Sequence, residues 1–174
     1  MKKLFLLLLL LSISLLQAKV LISPLEAMQE AYDMNASISK KNVLLSNAKY
    51  KNIQKNAKTK LHTKIYRIFT AKKDDKILGY GILVSRKVRS KNAVVLYFIK
   101  NNHLQGIEII AFNESMEYIT STTWNKQFQG TSTDKMLKLN RDIPSITGAT
   151  MSARSVVEGS RIAFAVYNEL VKGK

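Results

Sequence analysis

Ile146-Thr147-Gly148-Ala149-Thr150-Met151-Ser152 is a short, hydroxyl-rich turn that runs, with no proline to break it, into a long apolar-faced segment ending near Val171. Val156, Val157, Ile162, Ala163, Val166 and Leu170 recur there at helical spacing. The spacing predicts a helix from about Ser152 to Val171 whose broad apolar face covers a sheet. A helix that begins on a flexible loop presents free backbone N–H groups and the positive end of its dipole to that loop. Such a start suits an anion. Taken alone, the turn reads equally well as a plain N-cap, with Thr150 or Ser152 capping the helix.

The sheet to be covered lies upstream. Lys64 to Phe69, Ile77 to Val84, Ala93 to Ile99 and Leu104 to Ile110 are apolar runs. Polar turns at Asp74-Asp75-Lys76 and Asn101-Asn102 punctuate them. Closely spaced strands joined in this way predict an antiparallel meander. Gly79 and Gly81, inside one run, mark a bulge or a close backbone approach. Trp124 to Gly130 reads as a short helix, and Thr131 to Asn140 as a polar loop.

Ser23-Pro24-Leu25-Glu26 is a capping box with proline at the first helical position. It predicts a helix to about Met34 that buries Leu25, Met28, Ala31 and Tyr32. Asn42 to Leu45 suits a short strand. Ser46 then caps a helix over about Asn47–Lys58, with Ala48, Ile53 and Ala57 inward. The whole is an α+β chain: a twisted antiparallel sheet, a long C-terminal helix packed on it and a small helical N-terminal part. The boundaries read as 1–18 leader, 19–62 helical N-terminal part and 63–174 main domain.

Composition narrows the chemistry. The 174 residues contain no cysteine, which excludes disulfides, thiolate metal sites and thioether-linked haem. Two histidines in unrelated segments, His62 and His103, make a poor start for a metal centre. Ser37-Ile38-Ser39-Lys40 and Ser46-Asn47-Ala48-Lys49 both match the S-x-x-K of penicillin-binding serines, with none of its companion motifs. Lys2, Lys3, the Leu4–Leu16 apolar run and Gln17-Ala18 have the form of a secretory signal peptide. The expected location is therefore periplasmic or secreted, or membrane-anchored should the leader stay attached. Twenty-eight basic residues against 12 acidic give a formal charge of +16. Outside the cytoplasm that favours an anionic membrane surface or an acidic partner over nucleic acid. A generally basic proteome gives the same number with no function attached.

The segment Thr147-Gly148-Ala149-Thr150-Met151-Ser152 resembles the flavinylation motif of the FMN-binding domain family, whose members include flavin-carrying subunits of membrane-bound redox complexes. That motif is an aspartate, two variable residues, then Ser/Thr-Gly-Ala-Ser/Thr, with a further hydroxyl residue two positions on. Upstream counterparts are Gly79-Tyr80, the strand Ile107–Ile110 followed by Glu114, and Trp124…Phe128-Gln129-Gly130. The resemblance spans about Lys64 to Leu170. Two places depart from the pattern: Pro144 stands where the family has its aspartate, and Glu114-Ser115-Met116-Glu117 replaces Glu-Thr-Pro-Gly.

The resemblance implies FMN joined through a phosphoester to Thr150, placed there by a separate magnesium-dependent flavin transferase. Thr147, Gly148, Ala149 and Ser152 would complete the site. Trp124 would lie beside the flavin ring with Tyr118 and Phe128 behind it, though Phe128 reads better as core packing, and Glu114 reads equally as a polar flavin contact or an exposed loop charge. No His or Lys adjoins Thr150 in sequence to activate its hydroxyl, in keeping with an external transferase. The expected function is electron transfer to or from a membrane-associated redox partner, with no catalytic residue of the chain's own. Two alternatives stay open: a flavin-dependent reductase of a small-molecule acceptor, and a non-redox basic module for membrane or polysaccharide.

Overall fold

The computed structural model describes residues 20–173. The leader read at 1–18 lies outside the described residues. In chain order the elements are α1 (Pro24–Tyr32), β1 (Ser37–Leu44), α2 (Asn47–Ala57), β2 (Ile65–Lys73), β3 (Lys76–Lys87), β4 (Asn92–Lys100), β5 (His103–Phe112), α3 (Thr122–Asn125) and α4 (Thr150–Leu170). Single 3-10 turns at Met116–Tyr118 and Lys126–Phe128 flank α3. The five strands form one antiparallel sheet in the order β1-β2-β3-β4-β5, so the α+β meander is as expected. Asp74-Asp75 and Asn101-Asn102 make its two tightest turns, all four residues at positive φ. That is the mirror-image turn whose twist matches a two-residue hairpin, and Asp and Asn tolerate it best.

β1 is longer than the short strand expected at Asn42–Leu45, and it pairs with β2 from Ser37↔Lys72 to Leu44↔Ile65. Its first half, Ser37-Ile38-Ser39-Lys40-Lys41, is mostly exposed and polar. An edge strand needs no continuous apolar run, and outward lysines guard its free side.

The sheet is the middle of three layers. On β4, Ala93, Val95, Tyr97 and Ile99 point into the main core beneath α2 and α4, while Leu96 and Phe98 point into a second core beneath α1. The period-2 alternation of a strand thus buries both faces of β4. α4 carries the main core: Val157, Ile162 and Val166 are each at most 2% exposed, worth roughly 1.5–3 kcal/mol apiece. Gly159 lets the helix touch the sheet, since a Cβ there would sit 2.1 Å from the Tyr97 hydroxyl. That hydroxyl donates to the Val156 carbonyl at 2.9 Å.

Two helix faces differ from expectation. In α1, Ala27 and Met28 are buried, whereas Leu25 is half exposed and Ala31 exposed. The pits left by Gly79 and Gly81 set that face: a Cβ at these glycines would lie 2.3 Å from Tyr32 Cε1 and 2.4 Å from Met28 Sδ. The β2–β3 register also shifts beside Gly79, so it combines a bulge with a close approach. In α2, Ala48 is exposed, while Tyr50 turns partly inward and donates to the Leu61 carbonyl at 2.8 Å. Ile53 and Ala57 are buried as expected.

Candidate functional site

α4 begins at Thr150, two residues earlier than the apolar pattern suggests, because the residues before its first core contact are already helical. The approach is a tight turn in which Ala149 N–H donates to the Ile146 carbonyl at 3.1 Å. Gly148 sits at φ 80 in that turn. Thr147 at negative φ followed by glycine at positive φ is the type II pattern, where glycine avoids the steric cost of a side chain. A Cβ at Gly148 would meet no atom within 4 Å. The glycine therefore answers a backbone demand, and the space beside it is open.

Neither Thr150 nor Ser152 caps the helix. The N-cap is Ala149, which has no side-chain acceptor, and among the described residues no side chain caps the end. The first-turn N–H groups thus lack their usual partner while the dipole's positive end points outward. Thr150 is exposed, and its hydroxyl donates back to the Ile146 carbonyl at 3.0 Å. That bond ties Oγ1 to the turn and uses its one donor. Arg154, one helical turn further on, is exposed too.

Ser152 faces the other way. It is 2% exposed, its hydroxyl has no hydrogen-bond partner among the described residues, and it lines a cavity of about 10 Å³ with Thr120 and Ser155. Two residues along a helix are about 200° apart, so one of the pair must turn inward. Thr147 and Gly148 lie exposed beside Thr150, and Ala149 is buried beneath them.

Trp124 is 7% exposed. Its indole N–H donates to the Pro144 carbonyl at 2.9 Å, and its ring meets fully buried Phe128 edge-on at 5.2 Å. Ser121 caps α3 by accepting the Trp124 N–H. The tryptophan thus anchors the loop leading to the turn. Pro144 contributes its backbone oxygen at the position of the family aspartate. Asp142, the nearest acid, accepts from Lys138 N–H at 2.9 Å and pairs with Lys135 at 3.3 Å. The Lys138 N–H holds its carboxyl below the usual range. Asn140 completes the brace by accepting the Ser145 N–H at 3.1 Å.

Glu114 is engaged elsewhere. One of its oxygens accepts the N–H groups of Arg89, Ser90 and Lys91 at 3.2, 2.6 and 2.7 Å. Those bonds, the one from Lys91 foremost, hold its carboxyl below the ordinary glutamate range. It fastens the β3–β4 turn, and Arg89 then lies over the Tyr118 ring at 4.9 Å. Of the residues read as site candidates, the structure gathers Thr147, Gly148, Ala149 and Thr150 in one turn with Trp124 bracing it. Ser152 lies beneath that turn, and Glu114 is committed to the 89–91 turn. Sequence reasoning missed the backbone oxygens of Pro144 and Ile146 and the Asn140 side chain, since carbonyl roles leave no mark on residue type.

Residues 89–165 match the family model described as FMN-binding domain. The chain carries that domain: it is a flavoprotein with FMN as its cofactor. The matched stretch runs from the β3–β4 turn through β4, β5, the bracing loop and most of α4. No curated protein matches the chain. The residues present fit a phosphate-bearing group at the start of α4: an exposed hydroxyl, an uncapped helix end and open space beside Gly148.

Proposed function

We propose that Thr150 Oγ1 holds FMN through a phosphoester and that the domain is an extracytoplasmic electron carrier serving a membrane-associated redox partner. The observation that carries this reading is the exposed Thr150 hydroxyl on a helix start that no side chain caps. The first-turn N–H groups and the helix dipole would bear on the phosphate, a contribution of roughly 0.3–1 kcal/mol at an exposed site. Arg154, exposed and one helical turn on, is a cation on the same face.

Attachment by a flavin transferase would transfer the FMN moiety of FAD. The Thr150 oxygen–phosphorus bond forms, the pyrophosphate bond breaks, AMP leaves, and the hydroxyl gives up its proton. Among the described residues the Thr150 hydroxyl bonds a carbonyl and no base, so the transferase would bring the general base. When bound, FMN supplies the redox chemistry; the protein supplies orientation and electrostatics. A tethered cofactor suits the expected location outside the cytoplasm, where a released flavin would be lost. An anionic membrane surface fits the basic chain as the place of work.

The test is a denaturing gel of protein co-expressed with an exported flavin transferase and viewed under ultraviolet light. Fluorescence should survive denaturation and vanish in Thr150→Ala. A Thr150→Ala band that still fluoresces places the attachment elsewhere.

A further inference from the structure

A second site lies eleven residues along α4, about 16 Å from Thr150 by helix rise. Here a groove of about 520 Å³ opens between the end of α2, the Thr133–Met136 loop and the middle of α4. Its volume is that of a small-ligand site. Lys55, Lys58 and Arg161 line it, over an apolar floor that includes the buried Phe164 and Ala165. The groove's one acid, Asp134, is already paired with Lys172 at 2.9 Å.

The guanidinium of Arg161 is the telling group. Its side chain is only 15% exposed, yet it donates no hydrogen bond among the described residues, and its Nε is buried without a partner. The neighbouring carboxylate, Glu158, is committed to Arg86, which donates Nη2 to one of its oxygens. Thr59 donates to that same oxygen at 3.4 Å. Arg161 Nη2 is left 3.9 Å from the other oxygen, beyond hydrogen-bond reach. Two guanidiniums therefore share one carboxylate, and Arg161 keeps only the longer-range attraction of Glu158 against its desolvation. Desolvation presses the Arg161 guanidinium below its ordinary value. Leaving a buried charged donor unpaired costs free energy that an anion in the groove would recover. Two further buried atoms on the same wall have no partner: the hydroxyl of Thr133, which is 3% exposed, and the Asn168 side-chain oxygen.

We infer that this groove is a binding site for a phosphate monoester carrying an apolar substituent. Arg161 takes the phosphate through its Nη groups, the exposed part of a side chain that lines the groove, with Lys55 and Lys58 at the mouth. The apolar group lies on Phe164. Guanidinium geometry suits two phosphate oxygens at once. The site is independent of the flavin at Thr150, so the experiment uses the Thr150→Ala chain beside the flavin-loaded chain.

The probes are inorganic phosphate, phenyl phosphate and phenol, titrated while backbone and Arg Nε–H resonances are followed by NMR. Phenyl phosphate should give saturable shifts at Thr133, Arg161 and Asn168 in both chains. It should bind about tenfold more tightly than inorganic phosphate through burial of the ring, and phenol should give no saturable shift. Arg161→Gln should weaken phenyl phosphate by about tenfold or more. Lys55→Ala with Lys58→Ala, both exposed, should weaken it several-fold with the fold intact. Vesicles of phosphatidic acid distinguish the source: retention that depends on Arg161 identifies a lipid headgroup, and its absence a soluble ester. Shifts that never saturate, or that persist unchanged in both variants, overturn the site. Saturation only in the flavin-loaded chain overturns its independence from Thr150.

Discussion

Two stretches of backbone in this protein present adjacent N–H groups, and the fold treats them in opposite ways. At the β3–β4 turn the N–H groups of Arg89, Ser90 and Lys91 converge on a carboxylate from the same chain, Glu114. At the start of α4 the N-cap is Ala149, and no side chain turns back to accept. The first is closed from within and the second is left open, with a threonine hydroxyl above it. Where backbone donors serve only the fold, the chain provides its own anion. Where it does not, the N–H groups stay open to an anion from outside, as the proposed FMN phosphate would be.

The largest expected effect comes from removing the brace of the open turn. Trp124→Ala should cost about 3–5 kcal/mol in chemical denaturation, as for other buried aromatics. Trp124→Phe keeps most of the volume but loses the donor to Pro144, and should cost about 1 kcal/mol. If the bond positions the turn, Trp124→Phe also lowers flavin loading under limiting transferase. Equal loading would reduce the tryptophan to packing alone.

Next is Gly148→Ala. The added methyl meets nothing, so the whole effect is the positive φ, a cost of about 1–2 kcal/mol. Gly148→Asn should recover part of it, since asparagine tolerates that region better. Equal losses for Ala and Asn would show that space, not backbone conformation, governs the turn.

The smallest effect is at the closed turn. The folded Glu114 carboxyl titrates below its unfolded value. Its stabilisation is therefore full above the unfolded value and is lost as pH falls through the folded one. The Tm gap between the wild type and Glu114→Gln should be widest near neutral pH and close in acid. A gap independent of pH would mean that the carboxylate charge plays no part.

Much of this was legible in the sequence because local chemistry decides it. Asp74-Asp75 and Asn101-Asn102 announced hairpins, and Ser23 and Ser46 announced helix starts whose caps the structure contains. The Thr147–Thr150 turn was visible for the same reason. What stayed hidden depends on partners distant in sequence. The buried face of α1 follows from pits at Gly79 and Gly81, some fifty residues away. Glu114 read as either a polar flavin contact or an exposed loop charge, and nothing near it in sequence reveals the three N–H groups of the 89–91 turn. Ser152 looked like part of the motif surface, yet helical geometry sends it under Thr150. β1 was half invisible because an exposed edge strand carries no apolar signature.

The central claim is that one residue, Thr150, accepts the cofactor. Tandem mass spectrometry of peptides from protein made with the transferase addresses it directly. The account predicts one FMN-phosphoryl adduct, with fragment ions assigning it to Thr150 and leaving Ser145, Thr147 and Ser152 unmodified. An adduct on any of those three, or a tightly coloured protein whose flavin is released intact on denaturation, would contradict it.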